Sequence, residues 1–302
     1  MSYKIIRKNY MKNFRKFDKN TRITSSIILA SYITQIIILI AMGTYLLSTQ
    51  TTPAYIGVGI IAFIIATRLR GLNNIVHECT HFTFANNRAD NVVLGSISAA
   101  MILQSFTAYR KEHLTHHAHL GDYEKDLDIQ GIQAYHLEDK LTWKTIARHV
   151  LTPVFGLHLP GYLSVDLSAN DGLGYALQKI GLILITLIFA YFNPQAAVFL
   201  VIVPFLWVFT AINYWTDCID HGGIIGSDDE LEASRNMILP KLLRVIIFPR
   251  NDCYHLIHHL FPNVPAQHLD TCHDLLLEND AYRKTQKGDK LITHIGTEGL
   301  SA

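Results

Sequence analysis

Eight of the sixteen histidines in this 302-residue chain fall in three clusters. His77-Glu78-Cys79-Thr80-His81 is an HxxxH, and His113-Leu114-Thr115-His116-His117 and His255-Leu256-Ile257-His258-His259 are both HxxHH. At this histidine frequency a chain of such length holds roughly 0.04 HxxHH by chance, so two are not an accident of composition. On a helix, residues i and i+4 lie about 40° apart around the axis and one turn apart along it. His77 and His81 therefore point the same way. In an HxxHH, positions i+3 and i+4 straddle i, so three imidazoles share one face. Imidazole is a ligand for iron, zinc and copper. A structural zinc takes four ligands and a catalytic zinc about three from the protein. Eight imidazoles exceed what one ion uses, and two metal ions with open positions fit the count better.

A ninth candidate is His221, which follows an apolar stretch in Asp217-Cys218-Ile219-Asp220-His221-Gly222-Gly223. Asp217 lies four residues earlier and faces the same way if the helix continues, as a ligand or through a water. The alternative is a polar helix end capped by the two glycines. His119 could support the second cluster from behind. His136, His149, His158, His268, His273 and His294 have no metal spacing and read as structural.

Converging histidines need elements that hold them on one side. The chain is 49% hydrophobic with a mean hydropathy of +0.19, which suits a small membrane protein. No charged residue occurs from Ile23 to Thr67, or from Ile180 to Thr216. A spanning helix needs about 20 apolar residues, so each run holds two. The turns read as Ser48–Pro53 and Asn193-Pro194. The first run is too long for the apolar core of a signal peptide. Before it stand Lys4, Arg7, Lys8, Lys12, Arg15, Lys16, Lys19 and Arg22, with Asp18 the only acid. The positive-inside rule then puts both termini in the cytoplasm, with residues 68–179 and 217–302 on the same face. The uncharged stretch from Asn91 to Tyr109 is expected to be buried or re-entrant, because a crossing there would part His81 from His113. The expected organisation is a basic segment 1–22, a membrane unit 23–275 and a polar tail 276–302. A net charge of +1 gives no case for nucleic acid. Four cysteines without a CxxC suggest neither disulfides nor zinc.

The clusters resemble the three histidine boxes of the membrane fatty acid desaturase and hydroxylase superfamily. The likeness extends to Asn251–Pro262 and Val264-Pro265 around the third box, and to His117–Asp122 with Asp126-Leu127-Asp128 after the second. Asn213-Tyr214 and Asp220-His221-Gly222 resemble the extra-histidine region. There the family often has an asparagine or acid near the place of Asp217. The resemblance covers roughly residues 25–270. It implies an all-α integral membrane protein, with four transmembrane helices as two hairpins and a cytosolic helical cap. It also implies a non-haem diiron site held by His77, His81, His113, His116, His117, His221, His255, His258 and His259. The metal identity comes from the resemblance, not from the spacing.

An unactivated methylene offers no acidic proton, so a metal–oxygen oxidant must remove hydrogen from it, with dioxygen as co-substrate. Loss of two vicinal hydrogens gives a double bond, and oxygen rebound gives an alcohol. The first expectation is a lipid desaturase. The alternatives are hydroxylation of an acyl, alkyl, carotenoid or sphingoid chain, and a non-catalytic metal-binding membrane protein. No flavin, nicotinamide, ferredoxin or haem motif is present in the sequence, which implies a separate ferredoxin- or cytochrome-type electron donor. The acyl tail is expected between Ile97–Phe106 and the last membrane helix, near Trp207, Tyr214 and Trp215. Arg110, Lys111, Arg235 and Arg250 are candidates for binding a head group.

Overall fold

The computed structural model describes residues 2–227 and 229–288. Helices α1 (Ser2–Phe14), α2 (Arg22–Ser48), α3 (Thr52–Thr80), α4 (Arg88–Met101), α5 (Phe106–His119) and α6 (Trp143–Val154) form the first half. Helices α7 (Leu173–Phe192), α8 (Pro194–His221), α9 (Lys241–Ile247), α10 (His255–Leu260), α11 (Leu269–Leu276) and α12 (Asp280–Gly288) complete it. Short helical turns lie between them. Among the described residues no strand forms, and one isolated bridge pairs Asn20 with Ala85.

Four helices, α2, α3, α7 and α8, are long and apolar enough to cross a membrane. Helices α3 and α8 are the more buried pair, whereas α2 and α7 expose side chains such as Ile27, Ile37, Leu184 and Ile188. Continuous exposed hydrocarbon of this kind needs lipid rather than water around it. Helix α8 widens into π-helical turns at Val198–Ile202 and Pro204–Val208. Pro204 lacks the N–H that an α-helix needs there, and a wider turn accommodates the loss.

Helices α4 and α5 meet at 104° rather than forming one straight rod. Gly95 lets this elbow sit against α3. A Cβ there would lie 2.6 Å from the Phe106 ring and 2.9 Å from Cys79 Cβ. Ser98 Oγ donates to Leu72 O at 2.9 Å, fixing α4 on α3. The elbow is capped from a distance by Asp171, whose carboxylate accepts from the Phe106 and Thr107 amides, both at 2.8 Å, and from Ser105 Oγ at 3.2 Å. Such a cap satisfies donors the helix itself cannot and typically contributes about 1 kcal/mol.

The polar end of α3 ties the last third of the chain into place. Arg70 donates to Asp252 Oδ2 through Nε at 3.0 Å and Nη2 at 2.6 Å, and through Nη1 to Asn213 Oδ1 on α8 at 2.9 Å. Arg250 makes a bidentate pair with Glu78, at 2.7 and 2.8 Å. Arg68 donates to the carbonyls of Val245 and Ile246. These side chains are largely buried, where removing one partner of such a pair costs about 3–5 kcal/mol. Arg235 donates to the carbonyls of Ile219 and Gly222. Arg235 and Arg250, two of the head-group candidates, are thus internal braces. Arg110 lies over the Phe82 ring and donates to Thr80 O, and Lys111 is exposed. A second apolar cluster packs Ile6 and Phe14 of α1 against Phe261, Leu276 and Tyr282.

Candidate metal centre

Four elements deliver histidines to one place. The C-terminal end of α3 brings His77 and His81, α5 brings His113, His116 and His117, α8 ends on His221, and α10 brings His255, His258 and His259. Their ring nitrogens sort into two groups. One comprises His77, His81, His113, His117 and His258; the other comprises His116, His221, His255 and His259. Within each group the ligand atoms all lie within 4.8 Å of one another. The nine histidines named from sequence are all here. Each HxxHH divides between the groups, because i+3 and i+4 diverge by about 100° around the helix. The second box gives its i, i+4 pair, His113 and His117, to the first group and His116 to the other. The third box does the reverse, giving His255 and His259 to the second group and His258 to the first. The two groups touch, with the His117 and His259 rings stacked at 4.4 Å between centroids.

The nitrogen positions fit a cation. Nε2 of His77 lies 2.8 Å from Nε2 of His258, His81 3.0 Å from His113, and His117 2.9 Å from His258 and 3.1 Å from His113. In the second group His255 Nε2 lies 2.8 Å from His221 Nε2 and 2.9 Å from His259 Nε2. Two nitrogens at right angles on one ion, each bonded at about 2.1 Å, are about 3 Å apart.

Tautomers point the same way. His221 Nδ1 lies 3.0 Å from the Ala233 carbonyl, which can only accept, so this nitrogen carries the proton and Nε2 presents a lone pair. His116 Nδ1 donates to Asp126 Oδ2 at 2.9 Å and His113 Nδ1 to Asp128 Oδ2 at 3.2 Å. Asp220 Oδ2 stands 3.4 Å from His255 Nδ1. With Nδ1 protonated, Nε2 of His113 faces two other ring nitrogens as an acceptor, and hydrogen bonding alone cannot satisfy that convergence. Carboxylates and carbonyls behind the rings are the usual way to orient metal-binding histidines.

Burial holds His81, His117, His255, His258 and His259 far below the ordinary histidine range, and neighbouring imidazoles push the same way. Burial also lowers His113, against the opposing pull of Asp128. These rings are neutral at pH 7, the form a metal requires. His116 differs. Burial pulls it down, but its hydrogen bond to Asp126 and the nearby carboxylate charges outweigh that and raise it.

Asp217 enters neither group, so the structure does not bring it together with the nine rings as a direct ligand. The helix does continue from Asp217 to His221, and both line one cavity. Tyr162 intercepts the carboxylate, its hydroxyl donating to Asp217 Oδ2 at 2.8 Å. His119 is exposed. The other histidines bond elsewhere: His149 with Tyr214, His158 with Thr210, His273 with Tyr282, His136 with Glu138 and His268 with Asp18 O. His294 lies outside the described residues. The orienting groups Asp126, Asp128, Asp220 and Ala233 O had no assigned role in the sequence reading. The Asp-Leu-Asp run after the second box was the available signal.

The fatty acid desaturase family model matches residues 53–287. The chain belongs to the fatty acid desaturase family. Dihydrorhizobitoxine desaturase of Bradyrhizobium elkanii is 30% identical over 235 residues, 71% of this chain and 66% of that protein. The chloroplastic omega-3 fatty acid desaturase of Ricinus communis is 24% identical over 256 residues, 72% of this chain and 54% of its own length. A fatty acid desaturase of Bacillus subtilis (strain 168) is 22% identical over 224 residues, 66% of this chain and 62% of that one. The chain therefore spans between about half and two thirds of these relatives.

Two cavities flank α8 in this desaturase-family fold. One, of 330 Å³, reaches His77, His113, His116, His221 and His255. The other, of 450 Å³, is walled by residues such as Phe63, Ile146, Ile212, Trp215 and Phe248, and none of the nine histidines lines it. Gln104 and Ser105 of the expected stretch line the smaller cavity together with α8, but none of the apolar residues from Ile97 to Phe106 lines either one. Ile102 and Phe106 are packed in the core, and Tyr214 is buried against His149. Trp207 Nε1 donates to Pro153 O, and only Trp215 of the three aromatics lines the apolar cavity.

Proposed function

We propose that this chain is a dioxygen-dependent non-haem diiron oxidoreductase that introduces a double bond into an aliphatic chain, a fatty acyl or related lipid chain being the family's precedent. The observation carrying this reading is the division of nine lone-pair-bearing imidazoles into two contiguous groups. Five histidines would hold one iron and four the other. When bound, the irons supply the power to activate dioxygen and remove hydrogen from an unactivated carbon. The chemistry balances as follows. The substrate gives up two vicinal hydrogens as two protons and two electrons, a separate ferredoxin- or cytochrome-type donor supplies two more electrons, and dioxygen takes up these four electrons with those two protons and two further ones to leave as two waters.

The chain's own residues do the rest. Asp126, Asp128 and Ala233 O fix the tautomers of His116, His113 and His221, so no rearrangement is needed for binding metal. The braces Arg70–Asp252 and Arg250–Glu78 hold box three against box one. Hydroxylation by the same centre remains the second reading, since placement of the substrate by fractions of an ångström decides between them. A non-catalytic metal carrier is disfavoured by the apolar runs Ile23–Thr67 and Ile180–Thr216, which hold no Asp, Glu, His, Lys or Arg. The 23–275 unit carries every histidine of the centre. Two helical hairpins, α2–α3 and α7–α8, would put this unit's cap and both termini on the cytoplasmic side, in the cell membrane if the source is bacterial.

One set of preparations tests the reading. Protein purified without oxygen should carry two irons, and products should contain an olefin and no alcohol by mass spectrometry. One metal per chain, or turnover supported by a single zinc, refutes the diiron centre, and an alcohol as the product moves the assignment to hydroxylase. Cysteines introduced at Thr51 and Gln195 should react with an impermeant reagent outside the cell, and labelling at Gln130 from outside would overturn the topology.

A further inference from the structure

We infer that the exposed basic face of α1 is the docking surface for an acidic one-electron carrier protein, the donor that the diiron reading above requires; the inference rests on that reading and gives its partner a place. Eight Lys and Arg stand in the first 22 residues against one acid, Asp18, although the whole chain carries only +1. Positive charge is therefore concentrated here, and the rest of the chain is net acidic. Three of the eight are taken. Arg7 lies 3.7 Å from Glu230, Arg22 3.6 Å from Asp90, and Lys19 Nζ donates to Phe82 O at 2.7 Å. Five remain, Lys4, Lys8, Lys12, Arg15 and Lys16. All five are exposed, and none pairs with a carboxylate among the described residues. Lys4, Lys8 and Lys12 recur every four residues along α1, and Lys16 keeps the interval just past its end. Side chains at that spacing share one face of a helix, and like charges there repel. An anionic partner would relieve that repulsion.

The position of α1 selects the partner. Its apolar side is used up inside the protein. Ile6 and Phe14 are buried in one cluster with Leu256, Ile257 and Leu260 of α10, and the Phe14 ring meets Phe261 edge-on at 4.7 Å between centroids. The same short helix α10 gives His255 and His259 to one metal-binding group and His258 to the other, and Phe261 follows His259 by two residues. A carrier seated on the lysines thus rests behind the one element that serves both groups with its own side chains and packs on α1 with the rest. A lipid surface fits less well. A helix that lies on a bilayer turns an apolar face into it, as the exposed Trp143, Val150 and Val154 of α6 allow. On α1 the one large apolar side chain left exposed is Ile5. Charge complementarity without apolar insertion steers a soluble carrier to its partner quickly and lets it leave. Two successive encounters, each oxidising one carrier by one electron, deliver the two electrons that the reaction takes up.

The test uses the full chain, iron-loaded and free of oxygen, in phosphatidylcholine nanodiscs. Pre-reduced plant-type ferredoxin, an acidic one-electron carrier, is the probe, and its oxidation is followed by absorbance after rapid mixing. Lys8→Gln/Lys12→Gln should lower the second-order rate constant by about tenfold at low ionic strength. The difference should vanish near 1 M salt, where the screening length is about 3 Å. Lys140→Gln/Lys144→Gln removes the same charge from exposed sites outside α1 and should stay within about twofold of the parent. Reduction of the iron by dithionite should be the same in all three proteins. Ferredoxin should also protect Lys8 and Lys12 from acetylation, read by mass spectrometry. Equal losses in the two double variants, or no loss in the α1 variant, overturns the inference. Protection of Lys8 and Lys12 by phosphatidylglycerol in the disc but not by ferredoxin overturns it too and assigns α1 to anionic lipid. Iron that dithionite reduces and ferredoxin does not sinks this inference alone, whereas protein that binds no iron sinks the diiron reading and the inference together.

Discussion

The last three turns of α8 separate two cavities of comparable size and opposite character. Asn213, Asp217, Asp220 and His221 face the 330 Å³ cavity beside the histidines. Ile212, Trp215, Thr216, Cys218 and Ile219, interleaved with them in sequence, face the 450 Å³ apolar one. The same helix therefore lines a polar cavity beside the histidines on one side and a hydrocarbon-lined hollow on the other. Amphipathic alternation at a helical period makes this possible, since residues one or two apart diverge around the axis while residues three or four apart return to the same face. The cavity a residue lines thus follows from its helix face, and nearness in sequence to His221 does not decide it. Trp215 is six residues from His221 and lies on the wrong side, whereas Asn213, eight residues away, lies on the right one.

The largest effect is expected where the polar face meets the metals. His221 supplies one of four nitrogens to its group, with its lone pair aimed by the Ala233 carbonyl. His221→Ala should reduce turnover to background and lower iron from two per chain toward one, while the protein still inserts in the membrane. Elemental analysis alongside product yield checks both. Normal turnover in this variant would detach the polar face of α8 from the chemistry and leave the eight box histidines alone at the site.

A smaller effect is expected one step behind the rings. Asp126 does two things: Oδ2 accepts from His116, and Oδ1 accepts from the Asp128 and Ile129 amides at the start of a helical turn. Asp126→Asn keeps the turn and removes the charge that stabilises the His116 proton at Nδ1. Iron in the four-histidine group should be held about 10–100-fold more weakly, measured as the concentration of chelator needed to extract half of it. Unchanged extraction would assign Asp126 to the turn alone.

Sequence and structure agree where spacing alone carries the information. The convergence of the eight box histidines was legible in their types and intervals, that of His221 in its place after the last apolar run, and the four apolar helices in their length. The division of each HxxHH was implicit in the helical period, but the partner group at each half depends on tertiary packing. Asp220 shows the limit. It adjoins His221, yet it supports His255, thirty-five residues along the chain, and no local pattern records that. The orienting carbonyl of Ala233 carries no side-chain signal at all. Arg250 and Arg235 read as head-group candidates because charged residues outside apolar runs are usually exposed; here each finds buried acceptors that only the fold assembles.

The smallest effect should come from the other side of α8, and it bears most directly on the contrast between the two cavities. Val150 lines the apolar hollow from α6, and its side chain is half-exposed. Val150→Phe adds a ring to space that is already empty. Overfilling a packed core costs about 1–3 kcal/mol, but here the added carbons meet a 450 Å³ void walled by Ile146, Trp215 and other apolar groups. Gain in burial should roughly offset crowding, and stability should stay within about 1 kcal/mol of the parent. Iron content should not change, since no histidine of the centre lines that void. Turnover should stay within about twofold if substrate reaches the metals only through the polar cavity, because a twofold change in rate corresponds to only about 0.4 kcal/mol of barrier. A steep loss of turnover with full iron content would have one structural meaning. The hydrocarbon hollow would then be part of the substrate path, connecting to the histidines by a movement of α8, and the two faces of that helix would be successive parts of one channel.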